Sequence, residues 1–398
     1  MTVPQKNIQA IAEITDAVMH KGQFADKAFE AYFKQHRTLT ASETGNIVSG
    51  VNHLIRNWRL LTEIQKKTGN SSQSEVLWTI SQMIANKPSS IPSNIKLNKN
   101  RILEAYDELK SNTAVLYSIP DWLDDLGRNE LASQWPSVLA ALHNDAQLVI
   151  RANTIKCSKD QLHKNLALHG IKTKPHDKAT DALIFNQKLN VFRLQEFKQG
   201  FFEMQDMASQ LVGQFADPMP CMRVIDGCAG NGGKTLHLAS LMQNKGRIIA
   251  LDLFQGKLET LKCRAKRAGI SVIETREIST TKVIKRLHES ADLVLLDVPC
   301  SGLGVLRRNP EIKWRLQPAD LDNLKKTQED ILNRYSLMAK PGGKVVYSTC
   351  SILPSENSQQ IQKFLSLHNN KFDLIEEKTI SPEEGFDGFY MASLLRKA

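Results

Sequence analysis

Apolar residues in "IVSGVNHLIRNWRLLTEI" recur at Ile47, Val51, Leu54, Ile55, Trp58, Leu61 and Ile64. This spacing is close to 3.6 residues and predicts a helix with one buried face. The helical rhythm holds from residue 1 to about residue 118. The polar stretch "NKPSSIPSNIKLNKN", residues 86–100, interrupts it with two prolines and several turn formers, and reads as a linker or long loop. From "PDWLDDL" at 120–126 to about residue 205 the pattern is mixed. "QLVIRANT" (147–154) predicts a strand, and "KDQLHKNLALHG" (159–170) a helix ended by Gly170. After residue 206, short apolar runs alternate with helical segments. The strands read "RVIDG", "RIIALD", "SVIETR", "DLVLLDV" and "GKVVYST". The segment "DLDNLKKTQEDILNRYSLMAK" puts Leu321, Leu324, Ile331, Leu332, Tyr335 and Met338 on one side of a helix. Buried strands alternating with helices predict an α/β fold with a doubly wound sheet.

The chain has 398 residues, enough for two or three domains. The first twenty residues hold no uninterrupted apolar run, so no signal peptide is expected. No stretch approaches ~18 consecutive apolar residues, so no membrane partner is expected. The six cysteines (157, 221, 228, 263, 300, 350) form no CxxC pair, which points to reduced thiols and a cytoplasmic location. No set of four Cys/His ligands has finger-like spacing, so no metal is expected. The net charge is +10, which favours a polyanion partner without specifying one. Residues 151–198 carry ten Lys/Arg against four acids. A solvated basic face would look the same.

"MRVID" runs into "GCAGNGGKTLHLASLM", a glycine-rich turn from a first strand into a helix, where backbone N–H groups approach a ligand. Three ligands compete. For a nucleoside triphosphate, Gly233, Lys234 and Thr235 fit the end of the phosphate-loop pattern, with Asp297 as the Mg²⁺ carboxylate, but the required first glycine is Cys228. For a dinucleotide, Gly230 and Gly232 fit and the third glycine falls on Thr235. For S-adenosyl-L-methionine, Asp226 ends strand 1 and Asp252 ends strand 2, where a carboxylate can accept both ribose hydroxyls.

Asp226, Asp252, Asp297 with Cys300, and Cys350 all fall at strand carboxyl ends, so a doubly wound topology gathers them at one cleft. A single buried cysteine is most often only a small hydrophobe, and Cys157, Cys221, Cys263 and Cys228 read that way. Two at one rim, one of them beside Pro299 and an acid, suggest chemistry. Carbon 5 of a pyrimidine is a poor nucleophile. A thiolate added at carbon 6 makes it enamine-like, and an acid bonded to N3 and the exocyclic amine stabilises the developing charge. The thiol must be deprotonated, and a second thiol could take part in the elimination that follows.

"DGCAGNGGKT", "LLDVPCSGLGVLRRNPEIKWRL", "VVYSTCSILPSEN" and "DGFYMASL" resemble the Sun/RsmB family of RNA (cytosine-5)-methyltransferases. So does the upstream "PDWLDDL…IRANT…FFEMQDMASQLV". The resemblance covers roughly residues 119–398. It implies a class I methyltransferase catalytic domain (206–398) preceded by a small RRM-like α+β RNA-binding domain (119–205). The helical N-terminal region (1–118) is then either a NusB-like extension or an unrelated appendage. The family implies Cys350 as nucleophile, Cys300 as the promoter of product release, and Asp297 as the cytosine-binding acid. DNA cytosine methyltransferases use the PC cysteine as nucleophile, so the residues without the family leave the two roles open.

The expected S-adenosyl-L-methionine pocket comprises Asp226, Cys228, Ala229, Gly230, Gly232, Gly233, Lys234, Asp252, Lys257 and Asp297. Glu277 takes the place of the acid that usually ends the third strand. Gly230-Asn231 replaces the family's usual Ala-Pro. Arg307, Arg308, Lys313 and Arg315, with Trp314, are expected to meet RNA by charge and stacking, or else form a solvated face. The reading is thus a monomeric cytoplasmic RNA methyltransferase, ribosomal RNA being favoured over transfer RNA. A P-loop-type NTPase and a catalytically inactive RNA-binding protein with a methyltransferase fold are the alternatives.

Overall fold

The computed structural model describes residues 4–71, 73–87, 91–92, 94–187 and 189–397. Part of the expected 86–100 linker, and Lys188 of the basic stretch, lie outside the described residues. The chain divides into two compact units, 1–145 with 305–316, and 146–304 with 317–398.

The first unit is helical. Thr40 and Glu43 close a capping box, each side chain bonded to the other's backbone N–H, and start the helix Ala41–Arg56. The expected single helix through Ile64 is in fact two. It breaks at Asn57 (φ −102°, ψ 14°) before Trp58–Thr68 resumes. Ile47, Val51, Leu54, Ile55, Leu61 and Ile64 are all buried, beside Ile8, Ile11, Ile14 and Trp78 from neighbouring helices. Each such side chain contributes ~2 kcal/mol. Gly50 permits the close approach, since a Cβ there would lie 2.3 Å from Ile11 Cδ1. Helices Asp121–Leu131 and Trp135–Leu142 pack in this unit.

The second unit holds two sheets. The strands β1 (Val149–Ala152), β2 (Thr173–Pro175), β3 (Ala182–Phe185) and β4 (Phe202–Met204) form an antiparallel sheet in the order β2-β3-β1-β4. Its helix Lys159–Leu168 starts at a Ser158–Gln161 capping box, and Gly170 follows at φ +73°. The large sheet is built from β5 (Arg223–Asp226), β6 (Arg247–Asp252), β7 (Ile273–Glu277), β8 (Ala291–Asp297), β9 (Ala339–Thr349), β10 (Phe372–Ile380) and β11 (Phe389–Arg396). Its order is β10-β11-β9-β8-β5-β6-β7, with β5 to β9 mutually parallel, β11 antiparallel to both its neighbours, and β10 therefore aligned with β9. The chain winds outward from β5 to β7, then returns to place β8 on the other side of β5. The crevice at that reversal, beyond the ends of β5 and β8, is where such sheets bind ligands. The helix Pro318–Tyr335 buries Leu321, Ile331, Leu332 and Tyr335 as expected, whereas Met338 falls in a short 3₁₀ turn after it. Among the described residues no helix is long and apolar enough to cross a membrane.

Candidate active site

The two cysteines meet. β8 and β9 are paired in parallel, with Asp297 opposite Ser348, so both chains leave the sheet at the same level. Pro299 and the turn beyond it bring Cys300 back, and its Sγ lies 3.4 Å from Cys350 Sγ. Beside them Asp297 accepts from Lys234 Nζ at 2.7 Å and from Ser348 Oγ at 3.0 Å. Lys234 also lies 4.9 Å from the centre of the Phe389 ring. Burial pulls the Lys234 ammonium down, but the charge and hydrogen bond of Asp297 outweigh it and hold the group above its ordinary value. The Cys300 thiol is driven well above the ordinary range by its bond to Cys350, then by burial. It therefore remains a thiol at neutral pH.

The glycine loop occupies the adjoining strand end. Ala229 N–H donates to Leu251 O at 2.8 Å, Gly232 turns at φ +86°, and Gly233 begins the helix Gly233–Leu241. Asp252 is fixed from two sides, accepting from Gly230 N–H at 2.9 Å and from Phe254 N–H at 2.9 Å. A Cβ on Gly230 or Gly233 would project into open space. Leu253 and Phe254, immediately after this carboxylate, are each 60% exposed. An oriented carboxylate, a glycine cradle and uncovered apolar side chains together suit an adenosine: diol to acid, base to hydrophobe. S-adenosyl-L-methionine therefore fits the residues present.

Asp226 differs from expectation. It is 1% exposed and faces inward, accepting from the Thr235 hydroxyl at 2.7 Å and the Cys228 N–H at 3.3 Å. Burial pushes its carboxyl up to about 7. It shapes the loop from beneath. Cys228 packs against the core of the sheet, and burial drives its thiol well up. Glu277 is exposed at the end of β7, opposite Asp252 in the strand register. Lys257 is exposed, its ammonium 4.7 Å from the Phe254 ring centre.

The basic residues after the PC turn need the larger correction. Arg307 and Lys313 are buried, at 5% and 3% exposure, inside the helical unit. Lys313 Nζ donates to Arg56 O (2.8 Å) and Tyr117 O (3.2 Å), Trp314 Nε1 to Ile55 O (2.9 Å), and Arg307 Nε to Ala141 O (2.8 Å). These acceptors are carbonyls at helix carboxyl ends, whose dipole attracts cations. Arg315 is exposed, but it donates to Gly22 O at 2.8 Å and covers the Phe24 ring at 3.6 Å. Arg308 is half-buried. The sequence reading placed these side chains on RNA; Arg307 and Lys313 instead cap helices. Arg151 of the 151–198 excess is likewise internal, donating to Gly233 O at 3.1 Å.

Sequence reasoning missed Ser348, Phe389, Leu253 and Phe254. Only the last two left a signal, a pair of large apolar residues directly after a strand-ending acid.

A mostly parallel sheet with acids at its strand ends and a glycine loop beyond its first strand defines a class I methyltransferase fold. A family profile described as "16S rRNA methyltransferase RsmB/F" matches residues 214–395, and its companion ferredoxin-like domain matches 119–192. The "Probable ribosomal RNA small subunit methyltransferase B" of Synechocystis sp. is 35% identical over 267 residues, 66% of this chain and 60% of that protein. The "Ribosomal RNA small subunit methyltransferase B" of Vibrio vulnificus is 31% identical over 308 residues, 76% of this chain and 72% of that protein. The crystal structure of PH0851 shares the fold, with a TM-score of 0.83, 24% identity and 99% of each chain covered. The chain belongs to the RsmB/F methyltransferase family, and S-adenosyl-L-methionine is its cofactor.

Proposed function

We propose that the protein methylates carbon 5 of a cytosine in ribosomal RNA, through a covalent bond between Cys350 and carbon 6. The observation that carries this reading is the 3.4 Å contact between Cys300 and Cys350 beside the Lys234–Asp297 pair. Cys300, held as a thiol, donates its S–H toward the Cys350 sulfur, and Lys234 presents a positive charge to the same site. Cys350 is the nucleophile. Asp297, oriented by Lys234 and Ser348, faces N3 and the exocyclic amine, where it can relay the proton lost by the attacking thiol to N3 and so neutralise the charge that develops as the sulfur–carbon bond forms. S-adenosyl-L-methionine supplies the electrophilic methyl group. A solvent base then takes the C5 proton, its electrons re-form the C5–C6 double bond, and the sulfur–carbon bond breaks to release Cys350. Cys300 sits where its S–H can hydrogen-bond the departing sulfur during that elimination. A packed pair of inert cysteines would need neither the charged pair nor the strand-end placement. All six cysteines are free, in keeping with a reducing cytoplasm.

The relatives' names point to small-subunit ribosomal RNA. The test is to supply tritiated S-adenosyl-L-methionine with 16S RNA from a strain lacking the gene, then map the product by bisulfite sequencing. One protected cytosine is expected. Methylation confined to transfer RNA, or label on a base other than cytosine, would overturn the assignment.

A further inference from the structure

Each cysteine of the site is followed by a serine, and both serines reach one carboxylate. Ser301 gives its backbone N–H to Glu356 Oε1 at 2.8 Å and its hydroxyl to Oε2 at 2.5 Å. The Ser351 hydroxyl donates to that same Oε2, and the two serine oxygens lie 3.1 Å apart. Gln328, from the helix Pro318–Tyr335, donates to Oε1 at 2.9 Å. Glu356 is 0% exposed, and its own carbonyl accepts from the Tyr347 hydroxyl at 2.7 Å. These donors are all neutral. A carboxylate buried without a cation beside it is costly, and it persists only where fixed donors saturate it. Here the donors come from the turn after β8, the turn after β9 and one helix.

The geometry has a direct consequence. Ser301 is one residue from Cys300, and Ser351 is one residue from Cys350. Fixing both serines on one carboxylate fixes the separation of the two sulfurs. We propose that Glu356 is a positioning residue that sets the Cys300–Cys350 distance through Ser301 and Ser351, and so keeps the second thiol in reach of the bond the first one makes. The inference rests on the roles given to the cysteines above.

Its chemistry separates two substitutions. The Oε1 position faces an amide N–H and the Gln328 side-chain N–H, and therefore requires an acceptor. The Oε2 position faces two hydroxyls, which can turn to accept. Glu356→Gln can present its oxygen to the first and its NH₂ to the second. Glu356→Ala leaves every donor without a partner.

The experiment uses the full chain with dibromobimane, which fluoresces when it bridges two neighbouring thiols, and peptide mass spectrometry to locate the bridge. Wild type should bridge Cys300 to Cys350. Glu356→Ala should lose that bridge and, with ribosomal RNA, lose about a hundredfold in kcat. Its S-adenosyl-L-methionine affinity and its KM for RNA should stay within about threefold. Glu356→Gln should recover most of the bridging and the rate. Should Glu356→Ala not fold, Ser301→Ala with Ser351→Ala removes both hydroxyl links while leaving Glu356 with the Ser301 and Gln328 N–H donors, and is read in the same way. Wild-type bridging and kcat in the folded variant, even with a lowered melting temperature, would overturn the proposal. The bridging arm needs no substrate, so a failure of the cytosine reading would show in the wild-type methylation assay alone.

Discussion

Gly304 and Gly388 are in backbone contact: a Cβ on Gly304 would lie 2.1 Å from the Gly388 carbonyl oxygen and 2.8 Å from that of Cys350. Gly304 donates its N–H to Cys350 O at 2.9 Å and accepts from Gly388 N–H at 2.8 Å. Three motifs far apart in sequence are thereby joined through main chain. No side-chain shift can relieve a clash with backbone oxygens. Gly304→Ala should cost about 1–3 kcal/mol by overpacking, visible as a fall of several degrees in melting temperature. Methyl transfer should fall further than the folded fraction does. Full activity in Gly304→Ala at a permissive temperature would show that the junction does not order the site.

The buried acid under the glycine loop gives a pH signature. The Asp226 carboxyl lies at about 7 in the folded chain against an ordinary 3.8, so the folded state holds the proton more tightly. A raised acid adds stability that is complete below about pH 4 and is lost as pH rises toward 7, with a slope of up to ~1.4 kcal/mol per pH unit. Asp226→Asn keeps an acceptor for Thr235 and cannot ionise. Urea unfolding of both proteins at pH 4.5, 6 and 7.5 should show wild type losing stability relative to Asp226→Asn across that range. Parallel curves would mean that the carboxyl is not perturbed.

What the chain discloses before folding follows from which forces are local. β5, β6, β8 and β9 are buried on both faces, so each reads as an apolar run, and the acid or cysteine that ends it stands out. β10 escaped for the opposite reason. β10 lies at the edge of the sheet, and its interior, from Asp373 to Thr379, is exposed, so "DLIEEKT" shows no inward alternation. The basic run around Lys313 misled because a lysine's charge is visible in sequence whereas the helix-end carbonyls that bind it come from residues 55–141. Glu356 was overlooked for the same reason: its donors at 301 and 328 lie far from it along the chain.

The RNA-binding expectation narrows accordingly. With Arg307, Lys313 and Arg151 drawn inward, the exposed cations of the small-sheet region include Lys164, Lys172, Lys174 and Arg193. Lys178 is exposed too, but pairs with Glu384 at 2.5 Å. Each single-strand phosphate contact contributes about 0.7 to the slope of log affinity against log salt. Replacing Lys172, Lys174 and Lys178 together by Gln should lower the slope by one to two contacts' worth, with Lys178 adding least. Filter binding to ribosomal RNA between about 50 and 200 mM salt measures it. An unchanged slope would assign this face to solvent.

Cofactor affinity should depend on Asp252. Its oxygens are aimed by Gly230 and Phe254, so the carboxylate is preorganised for a diol. Losing a charge-assisted bond of this kind costs about 1.5–3 kcal/mol, or roughly ten- to a hundredfold in affinity. Asp252→Ala should show that loss in calorimetric titration with S-adenosyl-L-methionine, and Phe254→Ala a smaller one. Undiminished affinity in a folded Asp252→Ala would remove the residue from the pocket.

The two cysteines can be separated on one denaturing gel. Cys350→Ala should abolish both methylation and any covalent RNA adduct, because the attacking sulfur is gone. Cys300→Ala should still attack and transfer, then stall before elimination, leaving a protein–RNA band formed from unmodified RNA and S-adenosyl-L-methionine. Asp297→Ala should lose catalysis without an adduct, since it acts while the bond forms, and it also leaves the buried Lys234 without its counter-charge. If the cysteines merely pack, Cys300→Ala and Cys350→Ala should keep their activity and lose only modest stability. If the roles are those of the DNA enzymes, the trapped band should appear in Cys350→Ala. The 3.4 Å sulfur contact makes the distinction sharp. Either thiol is near enough to serve the other, so only the position of the stalled bond reveals which of them attacks.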